Sequence, residues 1–347
     1  MTRAARDKDM NILRPQNHFL LYIFAVLAFA CGESRHAGTE EKAFPGGSGV
    51  PDSPPGIAAA DTPGTRLRTP DFPLPYDLGN PNATCKLPKE LEEISGISYM
   101  KNGNLAVIED EKGKIYEINT NLCAVNSVWK FGKDGDYEGI EVVGDTAWVI
   151  RSDGLLHKVS DFTSDARITE IFKTPLTAKN NVEGLGYLPE KHHLLLACKA
   201  LPYLTRELYR GKRAVYAYDL AKKELLTLPY LLIDLKQVAA AKNDEAFIRL
   251  SRDLAGKLSD GGNLDFQPSG IALHPISGHI YVIASVGKTI LVYNQEKQLI
   301  GLAPLRHKLF TQPEGICFSP EGTLYISNEG KGGAGNVLTF QYTPHEN

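Results

Sequence analysis

Residues 72–347 predict an all-β fold of short antiparallel strands, and three features of the sequence say so. A small or acidic residue, then Gly, then Ile or Leu opens an apolar run at Ser95-Gly96-Ile97, Glu138-Gly139-Ile140, Glu183-Gly184-Leu185, Ser269-Gly270-Ile271 and Glu314-Gly315-Ile316. The glycines of these five elements are 43, 45, 86 and 45 residues apart. Each element is followed by a turn and a second run (GNLAVIED, DTAWVIRSD, HHLLLACK, GHIYVIAS, GTLYISNE), and most by a third such as GKIYEIN or TILVYN. The runs alternate in polarity, are rich in Val, Ile, Leu and Tyr, and are bounded by Gly, Asn, Asp and Pro. Strand units with a period near 45 and one Gly-hydrophobic signature per period read as blades of a β-propeller. A β-sandwich with accidental periodicity is the competing architecture.

Taken in order, the chain begins with an address label. Arg3, Arg6, Lys8 and Arg14 form a basic leader, and Phe19 to Ala30 is an apolar run. That run is shorter than the ~20 residues a membrane-spanning helix needs and suits the core of a signal peptide. It ends Ala28-Phe29-Ala30-Cys31-Gly32, which resembles the lipobox of bacterial lipoproteins, in which the Cys is acylated and becomes the mature N-terminus. Phe29 is large for that pattern, and an ordinary signal peptide cut near the same Ala-x-Ala is the alternative. Residues 1–30 are therefore read as a lipoprotein signal peptide with Cys31 as the lipidation site. Gly32 carries no retention signal for the inner membrane, which favours the outer membrane. From 31 to 71 the chain is Gly, Ser, Thr, Ala and Pro with scattered charges and no period, the composition of a disordered, lipid-anchored tether.

The propeller segment supplies its own closure. The last repeat has three strands, GICFSP, GTLYISN and VLTFQY, and the chain stops without a fourth. Residues 74–88 read as a lone extended segment before the first repeat, so the N-terminal strand is expected to complete the last blade and leave no open sheet edge. The inner Gly is expected where backbones crowd near the central axis. The gap of 86 is twice 43 and allows six blades. Residues 236–260, however, place Ala, Leu, Ile and Phe at helical spacing, so five blades with an insertion around 200–265 fit better.

The runs ELEEISGISYMKNGNLAVIEDEKGKIYEIN, GDYEGIEVVGDTAWVIRSDG, NNVEGLGYLPEKHHLLLACK, QPSGIALHPISGHIYVIASVGK and QPEGICFSPEGTLYISNEG resemble the SdiA-regulated (YjiK/CarP-like) family of bacterial envelope β-propellers. The likeness covers about residues 74–342. It implies a propeller at the cell envelope of a Gram-negative bacterium, in a family linked to calcium response. The chain is also distantly similar to propeller phytases and calcium-dependent lactonases or phosphotriesterases, a likeness of fold that does not carry function.

Polar residues fall at two levels of each repeat that a hairpin brings together. Ser95, Glu138, Glu183, Ser269 and Glu314 open the first strand, and Glu109-Asp110-Glu111, Arg151-Ser152-Asp153, Lys199, Ser285 and Asn328-Glu329 end the second. Such a ring, facing a water-filled channel, offers the oxygen ligands that a hard cation such as calcium requires. Glu138, Glu183, Glu314 and Glu329 are the candidate metal ligands. A purely structural reading has the same Glu residues capping backbone N–H groups or pairing with Lys199 and Arg151. A third reading is a polar ligand without metal.

Asp134 to Asp145 imitates the acidic positions of an EF-hand loop, but its flanks are not helical. Gly287-Lys288-Thr289 resembles the end of a P-loop without its leading Gly and is read as a turn. Among the cysteines, Cys198 and Cys317 lie in apolar runs and read as buried. Cys85 and Cys123 lie in polar connecting sequence and are the pair considered for a disulfide.

The net charge of -3 and the lack of a basic run exclude a nucleic-acid footprint. The expected partners are the membrane, through the lipid anchor, and a small molecule or another envelope protein. Two functions suit this object. One is a recognition module for a ligand or for calcium in the periplasm or at the outer membrane. The other is a calcium-dependent hydrolase of phosphoester, ester or lactone bonds acting through a metal-held water. No nucleophile or general base stands out.

Overall fold

The computed structural model describes residues 72–204, 209–242 and 266–344. The signal segment, Cys31, the tether and residues 205–208 and 243–265 of the insertion lie outside the described residues. Strand β1 (Ala83–Lys86) precedes the first blade, which comprises β2 (Ile94–Tyr99), β3 (Leu105–Glu109), β4 (Lys114–Asn119) and β5 (Ala124–Lys130). The second blade is β6 (Tyr137–Val143), β7 (Thr146–Arg151), β8 (Leu155–Ser160) and β9 (Ile168–Lys173). The third has β10 (Val182–Leu188), β11 (His193–Cys198) and β12 (Lys212–Asp219), with its fourth position shared by β13 (Glu224–Leu225) and β14 (Leu231–Asp234), which pair opposite ends of β12. After helix α1 (Leu235–Lys242) comes the fourth blade, β15 (Gln267–Leu273), β16 (Ile280–Val286), β17 (Thr289–Tyr293) and β18 (Leu299–Pro304). The fifth contributes β19 (Pro313–Phe318), β20 (Leu324–Asn328) and β21 (Asn336–Phe340).

Strand β1 pairs antiparallel with β21, from Ala83 opposite Thr339 to Lys86 opposite Asn336, and so completes the fifth blade from the other end of the chain. The edge of β21 is thereby covered.

The five inner strands close on one another in sequence order, which fixes the blade count at five. A Cβ added to Gly96 would lie 2.7 Å from the Ile140 nitrogen, one on Gly139 2.9 Å from the Glu183 oxygen, and one on Gly184 3.2 Å from the Gly270 carbonyl carbon. One on Gly270 would lie 2.7 Å from the Glu314 oxygen, and one on Gly315 2.9 Å from the Ser95 oxygen. Each signature glycine thus permits contact with the inner strand of the next blade, and the fifth returns to the first. Blades three and four touch directly through Gly184 and Gly270, so no sixth blade stands between them. The crowding is lateral, blade on blade.

Packing follows the same geometry. The apolar core is divided into five clusters, one at each seam. Ile108 and Ile115 meet Val149 between blades one and two, Trp148 meets Leu194 and Leu196 between two and three, and Cys85 and Cys317 meet Ile97 and Leu105 between five and one. The second strands are covered on both faces, so β3 and β16 are apolar runs rather than alternating ones. Only outer strands such as β5 and β9 keep the alternation expected of a half-exposed strand. Within the insertion, residues 236–242 are helical as read, in α1, and the remainder of 236–260 lies outside the described residues.

Cys85 also departs from expectation. It lies in β1 and is buried, not in connecting sequence, while Cys198 and Cys317 are buried as read.

Candidate ligand site at the channel mouth

Every inner strand is interrupted at its signature residue. The register slips between Tyr137 and Gly139, between Val182 and Gly184, and between Pro268 and Gly270, leaving Glu138, Glu183 and Ser269 unpaired. The same slip occupies Ile94 to Ile97 and Pro313 to Ile316, around Ser95 and Glu314. A bulge leaves one residue outside the ladder and re-aims its side chain. Here it releases Glu138, Glu183 and Glu314, which line the axis, from the ladder. The hairpin partners end at the same level, since Ile94 faces Glu109, Tyr137 faces Arg151, Val182 faces Cys198 and Pro313 faces Asn328.

The centre of the mouth is a carboxyl cluster around one lysine. Lys199 Nζ lies 2.7 Å from Glu183 Oε1, which also accepts a 2.9 Å hydrogen bond from Asn181 Nδ2. Burial, with Glu183, Asp136 and Glu314 nearby, pushes the Glu138 carboxyl up to about 9. Burial and Glu183 push Glu314 up to about 8. Burial also raises Glu183 despite its lysine partner, whereas the carboxyls of Glu183, Glu314 and Glu138 hold Lys199 charged against its own burial. Both shifts have one cause: acid outnumbers base in a desolvated space. Burial, followed by the charge of Glu93, raises Glu329, and this carboxylate accepts a hydrogen bond from Gln312 Nε2.

The other candidates do not join this cluster. Ser95 Oγ donates to Tyr137 O at 2.8 Å, and Ser269 Oγ donates to Pro313 O at 2.7 Å while accepting from the Ser285 N–H at 3.1 Å. These hydroxyls rivet neighbouring blades, and Ser285 serves the same rivet. Glu109 accepts the N–H groups of Glu111 and Lys112 at 3.1 and 2.6 Å and so caps its own turn, and Glu111 is an exposed partner of Lys112. Arg151 pairs with Asp153 at 3.0 Å, and its charge acts on Tyr137 and His157 within the seam. Asn328 is fully buried and donates to Asn336 Oδ1 at 3.0 Å. The EF-hand imitation runs from a bend through β6 into the next turn, with Asp134 held by Lys112 at 2.9 Å.

Sequence reasoning missed a second tier. Two residues before each signature position stand Glu93, Asp136, Asn181, Gln267 and Gln312, polar in all five repeats. Asn181 and Gln312 bond to the cluster, Asp136 acts on Glu138 and Glu183, and Glu93 acts on Glu329. The signal was a polar residue recurring two positions before every signature, directly ahead of the strand in four of the five repeats. Asp110, beside Glu93 and Glu109, is pushed up to about 7 chiefly by burial, and its Oδ1 has no hydrogen-bond partner among the described residues. Lys288, read as a turn residue, does lie in the β16–β17 hairpin turn with φ 41°; burial and Lys331 lower it to about 8, while Glu314 and Glu329 act in the opposite sense.

Between the inner strands the axis encloses only about 10 Å³, lined by Glu138, Glu183, Ser269 and Glu314 and by the signature glycines. That is room for about one water molecule. Any larger ligand therefore rests on the mouth. Among the described residues no group of three or more His, Cys, Asp or Glu side chains is placed to hold a metal ion. The Lys199 ammonium already takes a Glu183 carboxylate oxygen that such an ion would use.

No protein-family profile and no curated protein matches the chain. Solved structures do resemble it. Glutaminyl cyclase of Myxococcus xanthus is 10% identical with a TM-score of 0.49, covering 77% of this chain and 97% of its own. A luciferin-regenerating enzyme is 12% identical with a TM-score of 0.45, covering 76% and 95%. Virginiamycin B lyase from Staphylococcus aureus is 14% identical with a TM-score of 0.40, covering 74% and 68%. At these values the likeness is one of β-propeller fold, and no activity passes with it.

Proposed function

We propose that this protein is a recognition module of the bacterial envelope whose propeller captures, at the acid-rich mouth of its axis, a ligand presenting a compact positive charge. One observation carries the reading. Three bulged glutamates, Glu138, Glu183 and Glu314, surround a single ammonium, Lys199, which pairs with Glu183 at 2.7 Å, and burial raises all three carboxyls. A cluster with more acid than base, partly withdrawn from water, is relieved by an incoming cation, which releases protons as it binds. The same positive charge is offered by an organic ammonium or by a divalent ion. The ammonium needs no rearrangement of the donors, whereas calcium would have to displace Lys199 from Glu183. The envelope address rests on the leader and Cys31, and on the resemblance to the SdiA-regulated family.

The test is titration calorimetry of the purified protein at pH 7 in two buffers of different ionisation enthalpy, with a set of primary amines in one arm and calcium chloride in the other. The proposal expects binding whose apparent heat differs between buffers, and loss of that difference in Glu138→Gln/Glu314→Gln. Heat in the amine arm identifies an organic ligand; heat in the calcium arm alone identifies the ion and reopens the hydrolase reading, then checked with phosphomonoesters and lactones. Silence in both arms would reject the site.

A further inference from the structure

The ring closes at the seam between the fifth and first blades, where β1 joins the last blade, and two cysteines meet there. Cys85 lies on β1, opposite Val337 of β21. Cys123 lies in the turn between β4 and β5 of the first blade. Cys123 packs against the apolar cluster that holds Cys85, Leu87 and Tyr116, and its Sγ donates to Thr120 O at 3.6 Å. Both are free in the structure.

We propose that Cys85 and Cys123 are a disulfide site whose oxidation locks the N-terminal strand to the first blade and so fastens the ring. The turn presents one partner to solvent. Asn119 Oδ1 accepts the N–H groups of Asn121 and Leu122, each at 3.0 Å, Leu122 is 73% exposed, and Cys123 follows in a left-handed conformation with φ 50°. Cys123 is half-buried, while Cys85 is 2% exposed and burial pushes its thiol far up. A disulfide reagent therefore reaches Cys123 first.

The reaction balances as an exchange. The Cys123 thiolate attacks a small-molecule disulfide, forming a mixed disulfide and releasing one thiolate. Cys85 then gives up its proton and attacks the Cys123 sulfur, releasing the second. Two protein thiols are oxidised and one reagent disulfide is reduced to two thiols. The high proton affinity of Cys85 makes the second step the slow one and speeds it with rising pH.

The test exposes the reduced native protein to oxidised glutathione and follows it by intact mass and peptide mapping. A transient glutathione adduct on Cys123 should give way to loss of two hydrogens and to a peptide linking Cys85 with Cys123, faster at pH 9 than at pH 7. The oxidised protein should melt higher by on the order of 5 °C, a rise reversed by dithiothreitol. Cys123→Ser and Cys85→Ser should each remove both the link and the rise, leaving Cys198 and Cys317 reduced. A glutathione adduct that never resolves, a link formed only in denaturant, or a link without the melting shift would each overturn the proposal. It stands or falls separately from the ligand site.

Discussion

Glu183 and Lys199 are joined at 2.7 Å across the first hairpin of the third blade, and theirs is the ion pair around which the mouth is organised. The glutamate leaves its ladder at the bulge, and the lysine follows directly on the end of β11, where its N–H is held by Asn181 O at 2.8 Å. Lys199→Met leaves Glu183 buried without its counter-charge. We expect a loss of about 3 kcal/mol in urea unfolding at pH 7, a loss that shrinks as acid protonates the carboxyl, and recovery of most of the stability in Lys199→Met/Glu183→Gln.

The raised carboxyls set the pH profile. Glu138 and Glu314 bind protons more tightly folded than unfolded, with folded values of about 9 and about 8 against an ordinary 4.5. The folded state holds more protons between these limits, so the stability they contribute is complete below about pH 4.5 and is lost as pH rises through 8 to 9. Each contributes a limiting slope of about 1.4 kcal/mol per pH unit. Melting between pH 5 and 9 should show a steady decline, and Glu138→Gln/Glu314→Gln should flatten it; an equally steep decline in the double variant would refute the assignment.

The glycine ring predicts a steric penalty that position alone decides. Gly270→Ala forces a methyl to 2.7 Å from a carbonyl oxygen of the next blade, whereas Gly144, at the turn between β6 and β7 with φ 65°, has nothing within 4 Å of its missing Cβ. Gly270→Ala should cost about 2 kcal/mol or more, and Gly144→Asn, with a residue that tolerates left-handed backbone, under about 1 kcal/mol, both read by denaturant midpoint.

Closure of the ring gives a fourth expectation. Tyr76 Oη donates to Gly322 O at 2.6 Å and meets His274 Nε2 at 2.8 Å, tying the segment before β1 to the fourth and fifth blades. Tyr76→Phe leaves a buried carbonyl and a buried ring nitrogen without that hydroxyl and should cost about 1 to 3 kcal/mol. Removing residues through Lys86 bares the edge of β21, and light scattering should then show association.

Much of this was legible in the chain. The repeat named Glu138, Glu183 and Glu314 because a signature that recurs at each blade must occupy the same place around an axis. Lys199 was legible because a hairpin returns to its starting level. The bulges were not: a slip in register is a relation between two strands, and neither strand records it alone. Ser95 and Ser269 read as site residues because they share the signature position, yet a short hydroxyl there reaches the backbone of the next blade and is held by it. Arg151 and Asp153 stand outside the cluster for a similar reason, since two opposite charges two residues apart satisfy each other locally.

The sequence by itself determined the kind of fold, its strand units and its N-terminal closure, because periodicity and apolar runs are properties of local chain that any packing must respect. Five blades rather than six, the polar tier two residues upstream, the proximity of Cys85 to Cys123 and the direction of every titration shift were decided by the tertiary structure. Each depends on which groups lose water together, and the chain brings those groups together only once the seams have closed.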